Sequence, residues 1–159
     1  MQDARLSFRP AVPADKNAIL SMVNAMAEID KMPGLDEEAQ MRLIRDAFER
    51  RRFEILLAEW EGKPVGYVAF YEGYSTFEAR PTFYIDDLFV LPQYRGRHVG
   101  YELFRTCLRE ARRRDCGRVE WIVLEGNQPA FGFYDHLQAK KLKNWVPYRL
   151  NRTDIEKMA

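Results

Sequence analysis

The chain has 159 residues, 47% of them apolar, and its 25 Lys and Arg residues nearly balance its 24 Asp and Glu residues. This composition excludes an intrinsically disordered chain and argues against a dedicated nucleic-acid-binding protein. The two cysteines provide neither a disulfide framework nor a metal site, and no secretory segment or apolar run of membrane length occurs. We therefore expect a single domain over residues 1–159 that works in the cytoplasm without a metal or a membrane.

The first third of the chain predicts one strand and two helices. Alternating apolar and polar residues that end in a proline predict a strand at positions 6–10. Apolar residues then recur at helical spacing after Asp15, as far as about position 31, and again after Asp36. Each of these aspartates can accept a hydrogen bond from the first turn of a helix. The arginines at 50–52 are interpreted as solvated surface.

Branched and aromatic residues mark the strands that follow. They predict a β-hairpin formed by positions 54–60 and 65–71, then a loop at 72–81 and a central strand at 84–90. The second half of the chain predicts a helix at 99–114, a strand at 118–124, a helix at 129–137, strands at 139–142 and 146–150, and a turn at 153–158. This order is typical of an α+β fold, a mixed sheet with helices on both faces.

The loop between the central strand and the next helix is a candidate phosphate site. Gly96 and Gly100 allow the backbone to close on an anion, and Arg95 and Arg97 add positive charge. The first turn of a helix also offers unpaired N–H groups and the positive end of the helix dipole. A purely structural turn is the alternative interpretation of this loop.

Two further motifs flank the loop, and together the three resemble the GNAT superfamily of acyl-CoA-dependent N-acyltransferases. Asp86 and Asp87 precede the loop, and Asn127 and Tyr134 match the pattern Asn-x-x-Ala/Ser-x-x-Phe-Tyr. The loop matches the ends of Gln/Arg-x-x-Gly-x-Gly/Ala, with His98 in place of the inner glycine. Within the superfamily, the chain resembles the spermidine/spermine (diamine) N-acetyltransferase branch over nearly its whole length.

The resemblance implies a mostly antiparallel sheet whose central strand and the next strand splay apart, with acetyl-CoA in the gap, and a homodimer. It also implies a set of cofactor-binding residues at the end of the central strand, in the loop and at the start of the two following helices. These are Leu88, Phe89, Val90, Arg95, Gly96, Arg97, His98, Val99, Gly100, Tyr101, Asn127 and Ala130. Asn127 either contacts the pantetheine arm or caps the last of these helices.

Acetylation of an amine requires a base and an acid. An alkylamine with a pKa of about 10.4 is mostly protonated at pH 7, which disfavours attack by about 4–5 kcal/mol. By resemblance, Asp86 is the catalytic base, acting through water because aspartate is one methylene shorter than glutamate, and Tyr134 is the acid that protonates the leaving thiolate. In a regular strand Asp86 and Asp87 face opposite sides of the sheet, so both can face the substrate only across a bulge.

An amine substrate with more than one positive charge favours a site lined with carboxylates. The candidates are Asp30, Asp86, Asp87 and Glu120. Val146 stands where the diamine branch has a further acid, and Trp145 lies beside it. This difference favours an amine that is shorter or less charged than spermine, such as a lysine-like amino acid.

The sequence therefore predicts an acetyl-CoA-dependent N-acetyltransferase that acts on a primary amine of a small molecule, by direct attack in a ternary complex. Three alternatives remain open at this point. The acceptor is a protein lysine or N-terminus, the chain binds acyl-CoA with little turnover, or it is a structural dimerisation module.

Overall fold

The computed structural model describes residues 4–159, which divide into a unit that ends at Ile122 and a second unit, Val123–Ala159. The described part of the first unit contains β1 (Leu6–Pro10), α1 (Lys16–Ile29), α2 (Glu37–Phe48), β2 (Glu54–Trp60), β3 (Lys63–Ser75), β4 (Arg80–Val90), α3 (Val99–Arg113) and β5 (Arg118–Glu120). The second unit contains α4 (Gln128–His136) and α5 (Arg152–Met158). The organisation of residues 1–159 as one domain stays a prediction.

The strands of the first unit form one sheet in the order β1-β2-β3-β4-β5. All neighbouring strands are antiparallel except β4 and β5, which are parallel. Ile19 and Met22 of α1 and Ala47 of α2 pack in one core cluster with sheet residues that include Ala69. Phe70 faces the other side because side chains alternate along a strand, and there the guanidinium of Arg114, at the end of α3, lies over its ring. The predicted α+β fold with helices on both faces is confirmed.

The β4 and β5 strands separate soon after they meet. Their shared ladder extends only from the pair Thr82 and Arg118 to the pair Tyr84 and Glu120. Beyond it, β4 continues to Val90 alongside β3. The far half of β4 thus has no β5 partner. This is the splayed strand pair that the resemblance implies.

A bulge interrupts β4 at Asp86. Asp87 pairs with Ala69, but the next β3 residue, Phe70, pairs with Ile85, so Asp86 has no partner on β3. One extra residue resets the alternation of side chains, and both aspartates then face the same side of the sheet. The structure contains the bulge that the sequence analysis required.

The structure corrects the prediction of a loop at 72–81. There β3 runs on to Ser75, β4 begins at Arg80, and the ladder continues through Gly73 and Thr82. The rings of Tyr71 and Tyr84 pack across the two strands with centroids 4.9 Å apart. Exposed polar residues suggest a loop, but cross-strand aromatic contacts stabilise an extended hairpin instead.

Other elements are shorter or different from those predicted. The strand at 118–124 ends at Glu120, where the diverging β4 no longer offers a ladder partner. The segments 139–142 and 146–150 are not strands, and 153–158 belongs to α5 rather than to a turn. Asp36 caps α2 as predicted, but the carboxylate of Asp15 instead binds the guanidinium of Arg9 and the N–H of Val12. None of the helices among residues 4–159 has the length and apolar character that crossing a bilayer requires.

Candidate active site

A cavity of about 430 Å³ opens on the sheet face that α1 and α2 cover. Its volume falls in the range of about 300–1,000 Å³ that is typical of small-molecule sites. Most of its lining is apolar, and it comes from both helices, from β2 and from β3. The two carboxylates Asp86 and Asp87 line it from β4. The bulge therefore brings the predicted acidic pair into one cavity.

Burial changes the acidity of the inner member of this pair. The pKa of Asp87 rises from the ordinary 3.8 to about 6, first because burial disfavours the charged carboxylate and next because the negative charge of Asp86 lies nearby. The hydroxyl of Tyr67 donates a hydrogen bond to Oδ2 of Asp87 at 3.4 Å, a long contact that offsets only part of this effect. The pKa of the Asp87 carboxyl group is thus close to neutral pH.

Tyr67 is a buried phenol that holds its proton. Its side chain is 1% exposed, and its pKa is raised by burial first and then by the charge of Asp87. Its hydroxyl lies 3.7 Å from the sulfur of Met26, and its ring packs on Phe89 with centroids 6.1 Å apart. The sequence predicts Tyr67 to lie in the hairpin and gives it no functional role. The available signal was its period-two spacing with Ala69, which marks one face of β3.

The other two acidic candidates stand outside the cavity lining. Asp30 follows the last residue of α1, and its charge contributes to the raised pKa values of both Asp87 and Tyr67. Glu120 pairs with Tyr84 in the β4–β5 ladder. Its carboxylate forms an ion pair with Nε of Arg118 at 3.2 Å. Of the four predicted acids, the structure brings Asp86 and Asp87 together and places Asp30 near enough to raise the pKa of Asp87. Glu120 is paired with Arg118 instead.

The loop before α3 has the geometry of an anion-binding turn. Gly96 has φ 74° and His98, the residue that precedes α3, has φ 60° and ψ 9°. A Cβ added at Gly96 would meet nothing within 4 Å, so open space lies beside the backbone there. The following residues Val99, Gly100 and Tyr101 form the first turn of α3, whose N–H groups have no partner within the helix. The loop and the helix start are therefore the residues that could hold a pyrophosphate.

The loop arginines are partly engaged by the protein itself. Nε of Arg95 donates to the carbonyl of Val90 at 3.0 Å, and the guanidinium of Arg97 lies over the rings of Trp60 and Tyr94 at 5.3 and 5.7 Å. These contacts tie the loop to the end of β4 and to β2. The preceding β4 residue Leu88 lies, like Val90, on the part of that strand without a β5 partner.

The second unit holds the predicted acid and its motif. Tyr134 lies on α4, is partly exposed, and packs edge-on against Phe133 with ring centroids 5.1 Å apart. Oδ1 of Asn127 accepts a hydrogen bond from the N–H of Ala130 at 3.2 Å, so Asn127 caps α4. The capping alternative for Asn127 thereby accounts for its side-chain oxygen.

Three charged residues in the cavity lining were not predicted as site residues. Arg42 and Asp46 lie one turn apart on α2, and Arg52 follows that helix. The sequence predicts Arg52 to be part of a solvated basic run, and its side chain is 64% exposed, yet it also lines the cavity. A charge run has no periodicity that would single out this member. No group of three or more side chains that could hold a metal occurs among the residues that the structure describes.

Comparison with known proteins agrees with the fold and with the family that the sequence resembles. The Acetyltransferase (GNAT) family matches residues 22–138. The chain is 29% identical to a thialysine N-epsilon-acetyltransferase of Mus musculus over 98% of both chains. It is 38% identical to an L-ornithine N5-acetyltransferase of Arabidopsis thaliana over 54% of this chain and 37% of that protein.

A solved structure supports the fold independently. An integron cassette protein from the mobile metagenome of V. cholerae superimposes with a TM-score of 0.82 at 17% identity, over 98% of each chain. At this identity the likeness shows the fold alone. The family match, in contrast, spans well over half of the sequence, so the chain belongs to the acetyltransferase (GNAT) family and is an acyltransferase.

Proposed function

We propose that this enzyme transfers the acetyl group of acetyl-CoA to the primary amine of a small molecule, a diamine or a lysine-like amino acid, in a ternary complex. The observation that carries the proposal is the carboxylate pair, Asp86 and Asp87, on one wall of a largely apolar cavity. Relatives named for acetylation of thialysine and of ornithine support a small amine as the acceptor.

The carboxylate pair binds the ammonium form of the amine and then takes its proton. Proton transfer is most efficient when the pKa of the base approaches the working pH. Asp87, with a pKa of about 6, meets that condition while still being mostly ionised at pH 7. Asp86 contributes a second negative charge and a route for a relaying water. The resemblance assigns the base to Asp86, which stays the carboxylate that relays the proton through water. We assign the final proton acceptor to its neighbour Asp87 because of its raised pKa.

Acetyl-CoA supplies an acyl group activated as a thioester. The backbone N–H groups from Gly96 to Tyr101 are the proposed holders of its pyrophosphate, because they surround a helix start with open space beside it. The half of β4 that pairs with β3 but has no β5 partner is proposed to hold the pantetheine arm. It includes Leu88, Phe89 and Val90. Arg95 supports this edge through its contact with the Val90 carbonyl.

Tyr134 is the proposed proton donor to the leaving thiolate. A phenol with a pKa of about 10 and a thiol near 8.5 are close enough for such a transfer as the C–S bond breaks. The assignment of Tyr134 rests on the motif that begins at Asn127.

Purified protein incubated with acetyl-CoA and a panel of diamines and amino acids tests the proposal. We expect release of free CoA thiol that depends on the amine and matches the amount of N-acetylated product. Tight acetyl-CoA binding without amine-dependent release would contradict enzymatic turnover and favour an acyl-CoA-binding protein. A protein lysine as acceptor would instead show release with peptides and none with the small amines. We also propose that the protein is a homodimer in the cytoplasm. Analytical ultracentrifugation measures its oligomeric state, and cell fractionation measures its location.

His98 provides a test of the phosphate site. Its left-handed backbone costs a residue with a side chain on the order of 1 kcal/mol, which glycine does not incur. Because this conformation is already present without the cofactor, its relief should stabilise the fold rather than the complex. If backbone N–H groups hold the pyrophosphate, His98→Gly should bind acetyl-CoA about as tightly as the wild type.

The matched control is His98→Ala, which removes the imidazole but keeps the backbone penalty. We expect it to bind no more tightly than the wild type in calorimetry. Equal weakening in the glycine and alanine variants would show that the imidazole itself contacts the cofactor, against the assignment to the backbone.

A further inference from the structure

The cavity carries opposite charges at two places. Asp86 and Asp87 line it from β4, whereas Arg42 and Arg52 line it from α2 and from the segment that joins α2 to β2. The two arginine side chains are 47% and 64% exposed and lie at the rim. Nη1 of Arg42 donates to Glu38 at 3.0 Å and Nε of Arg52 lies 3.8 Å from Asp46, so each guanidinium keeps its remaining N–H groups for a ligand. A long polycation favours a cavity whose charged lining is entirely acidic. This cavity has basic as well as acidic residues in its lining.

The sheet register gives the distance between the arginine end of the cavity and the carboxylate pair. Ile55 of β2 pairs with Ala69 of β3, and Ala69 pairs with Asp87 of β4, so these residues form one row across the sheet. Neighbouring strands lie about 4.8 Å apart, which puts Ile55 about 10 Å from Asp87. Arg52 precedes this end of β2 by a few residues. A ligand of lysine or ornithine length can span such a distance when side chains reach toward it from both ends.

A third charged group lies beside the arginines. Oδ1 of Asp46 is buried, and within residues 4–159 it is a side-chain oxygen without a hydrogen-bond partner. Its nearest cations, Nη1 of Arg50 and Nε of Arg52, are 3.5 and 3.8 Å away, which is too far for well-formed hydrogen bonds. A buried carboxylate oxygen is costly unless a donor satisfies it. Asp46 nevertheless lines the cavity, and its negative charge beside the two arginines favours an ammonium group of the ligand there.

We infer that the arginine end of the cavity recognises the head group of an α-amino acid, so that the acceptor is an amino acid whose side chain ends in the reacting primary amine. Arg42 and Arg52 bind its carboxylate, Asp46 binds its α-ammonium group, and the apolar lining contacts its methylene chain. This inference rests on the proposed function and narrows its substrate class. A diamine would bring a second cation to the arginines without a carboxylate to pair with them.

Each amino acid has a decarboxylated diamine of the same length that serves as the matched probe. The test compares kcat/KM for L-ornithine with that for putrescine, and for L-lysine with that for cadaverine. A charge-assisted contact to the carboxylate should give the amino acid an advantage of roughly ten-fold or more. Arg52→Gln should remove most of that advantage by raising KM for the amino acid, while kcat/KM for the diamine stays the same or rises.

Arg50→Gln is the matched control. Arg50 also neighbours Asp46 but does not line the cavity, so its loss should leave the preference for the amino acid intact. A wild-type enzyme that uses the diamine as well as the amino acid would overturn the inference, as would equal effects of the Arg50 and Arg52 variants. Both results leave the proposed function standing. Failure of every amine to release CoA would overturn the proposed function itself, and the inference with it.

Discussion

Replacing Asp87 with asparagine is expected to lower amine-dependent acetyl transfer at pH 7 by about 10²–10⁴-fold, the usual contribution of a general base. Asparagine keeps the size of the side chain and an acceptor for the Tyr67 hydroxyl but cannot take a proton. The measurement is kcat/KM from thiol release at saturating acetyl-CoA. Activity within three-fold of the wild type (about 0.7 kcal/mol) would rule out Asp87 as the base.

The same substitution is expected to stabilise the folded protein at high pH. Because the pKa of Asp87 is about 6 in the fold and about 3.9 in an unfolded chain, its ionisation opposes folding. The loss of folding free energy is absent below about pH 4 and grows as the pH rises from 4 through 6. Above pH 6 it reaches up to about 3 kcal/mol. Asp87→Asn should therefore be more stable than the wild type to urea at pH 8 and equally stable at pH 4.

Asp86→Asn separates the two carboxylates. Asp86 is exposed, whereas Asp87 is largely buried. Removing the Asp86 charge removes one cause of the raised pKa of Asp87, so that pKa should fall toward its ordinary value. We expect a loss of affinity for the amine together with a shifted pH dependence. An unchanged pH dependence would contradict the electrostatic coupling of the pair.

Replacing Tyr134 with phenylalanine is the second substitution expected to have a large effect. Loss of the hydroxyl removes the proposed proton donor, so kcat should fall by about 10²–10⁴-fold while the affinity for acetyl-CoA changes little. Kinetics at saturating concentrations of both substrates measure the first quantity, and calorimetry measures the second.

Tyr148→Phe is the control for that experiment. Tyr148 is in the same unit and is 96% exposed, so removal of its hydroxyl should leave kcat unchanged. Equal kcat in the Tyr134 variant and the wild type would contradict the assignment of the acid. A large rise in KM for acetyl-CoA with constant kcat would give Tyr134 a binding function instead.

Local patterns predicted most of the fold. The turn at Glu61 and Gly62, the capping aspartate of α2 and the apolar stripe of α3 each act over a few residues, so the sequence alone indicates them. The errors concern pairing between distant segments. Residues 72–75 include an exposed glutamate and a glycine, yet they extend β3 because β4 lies opposite them, and β5 is only 3 residues long because β4 diverges.

The candidate site was partly predictable for the same reason. Asp86, Asp87 and the loop before α3 lie close together in the sequence. A bulge is the condition under which both aspartates face one side, and the register of β3 and β4 meets it. Tyr67, Arg52 and the raised pKa of Asp87 depend on which segments pack together, so no local pattern contains them. The structure supplies that information through the register of β2, β3 and β4.

The dependence of kcat/KM on pH is the most direct measurement of whether the buried carboxylate drives amine acetylation. We expect the wild-type value to fall ten-fold per pH unit below an apparent pKa of about 6, and the residual activity of Asp87→Asn to lack this acidic limb. A wild-type profile without an acidic limb near 6, or an unchanged limb in the asparagine variant, would contradict the account.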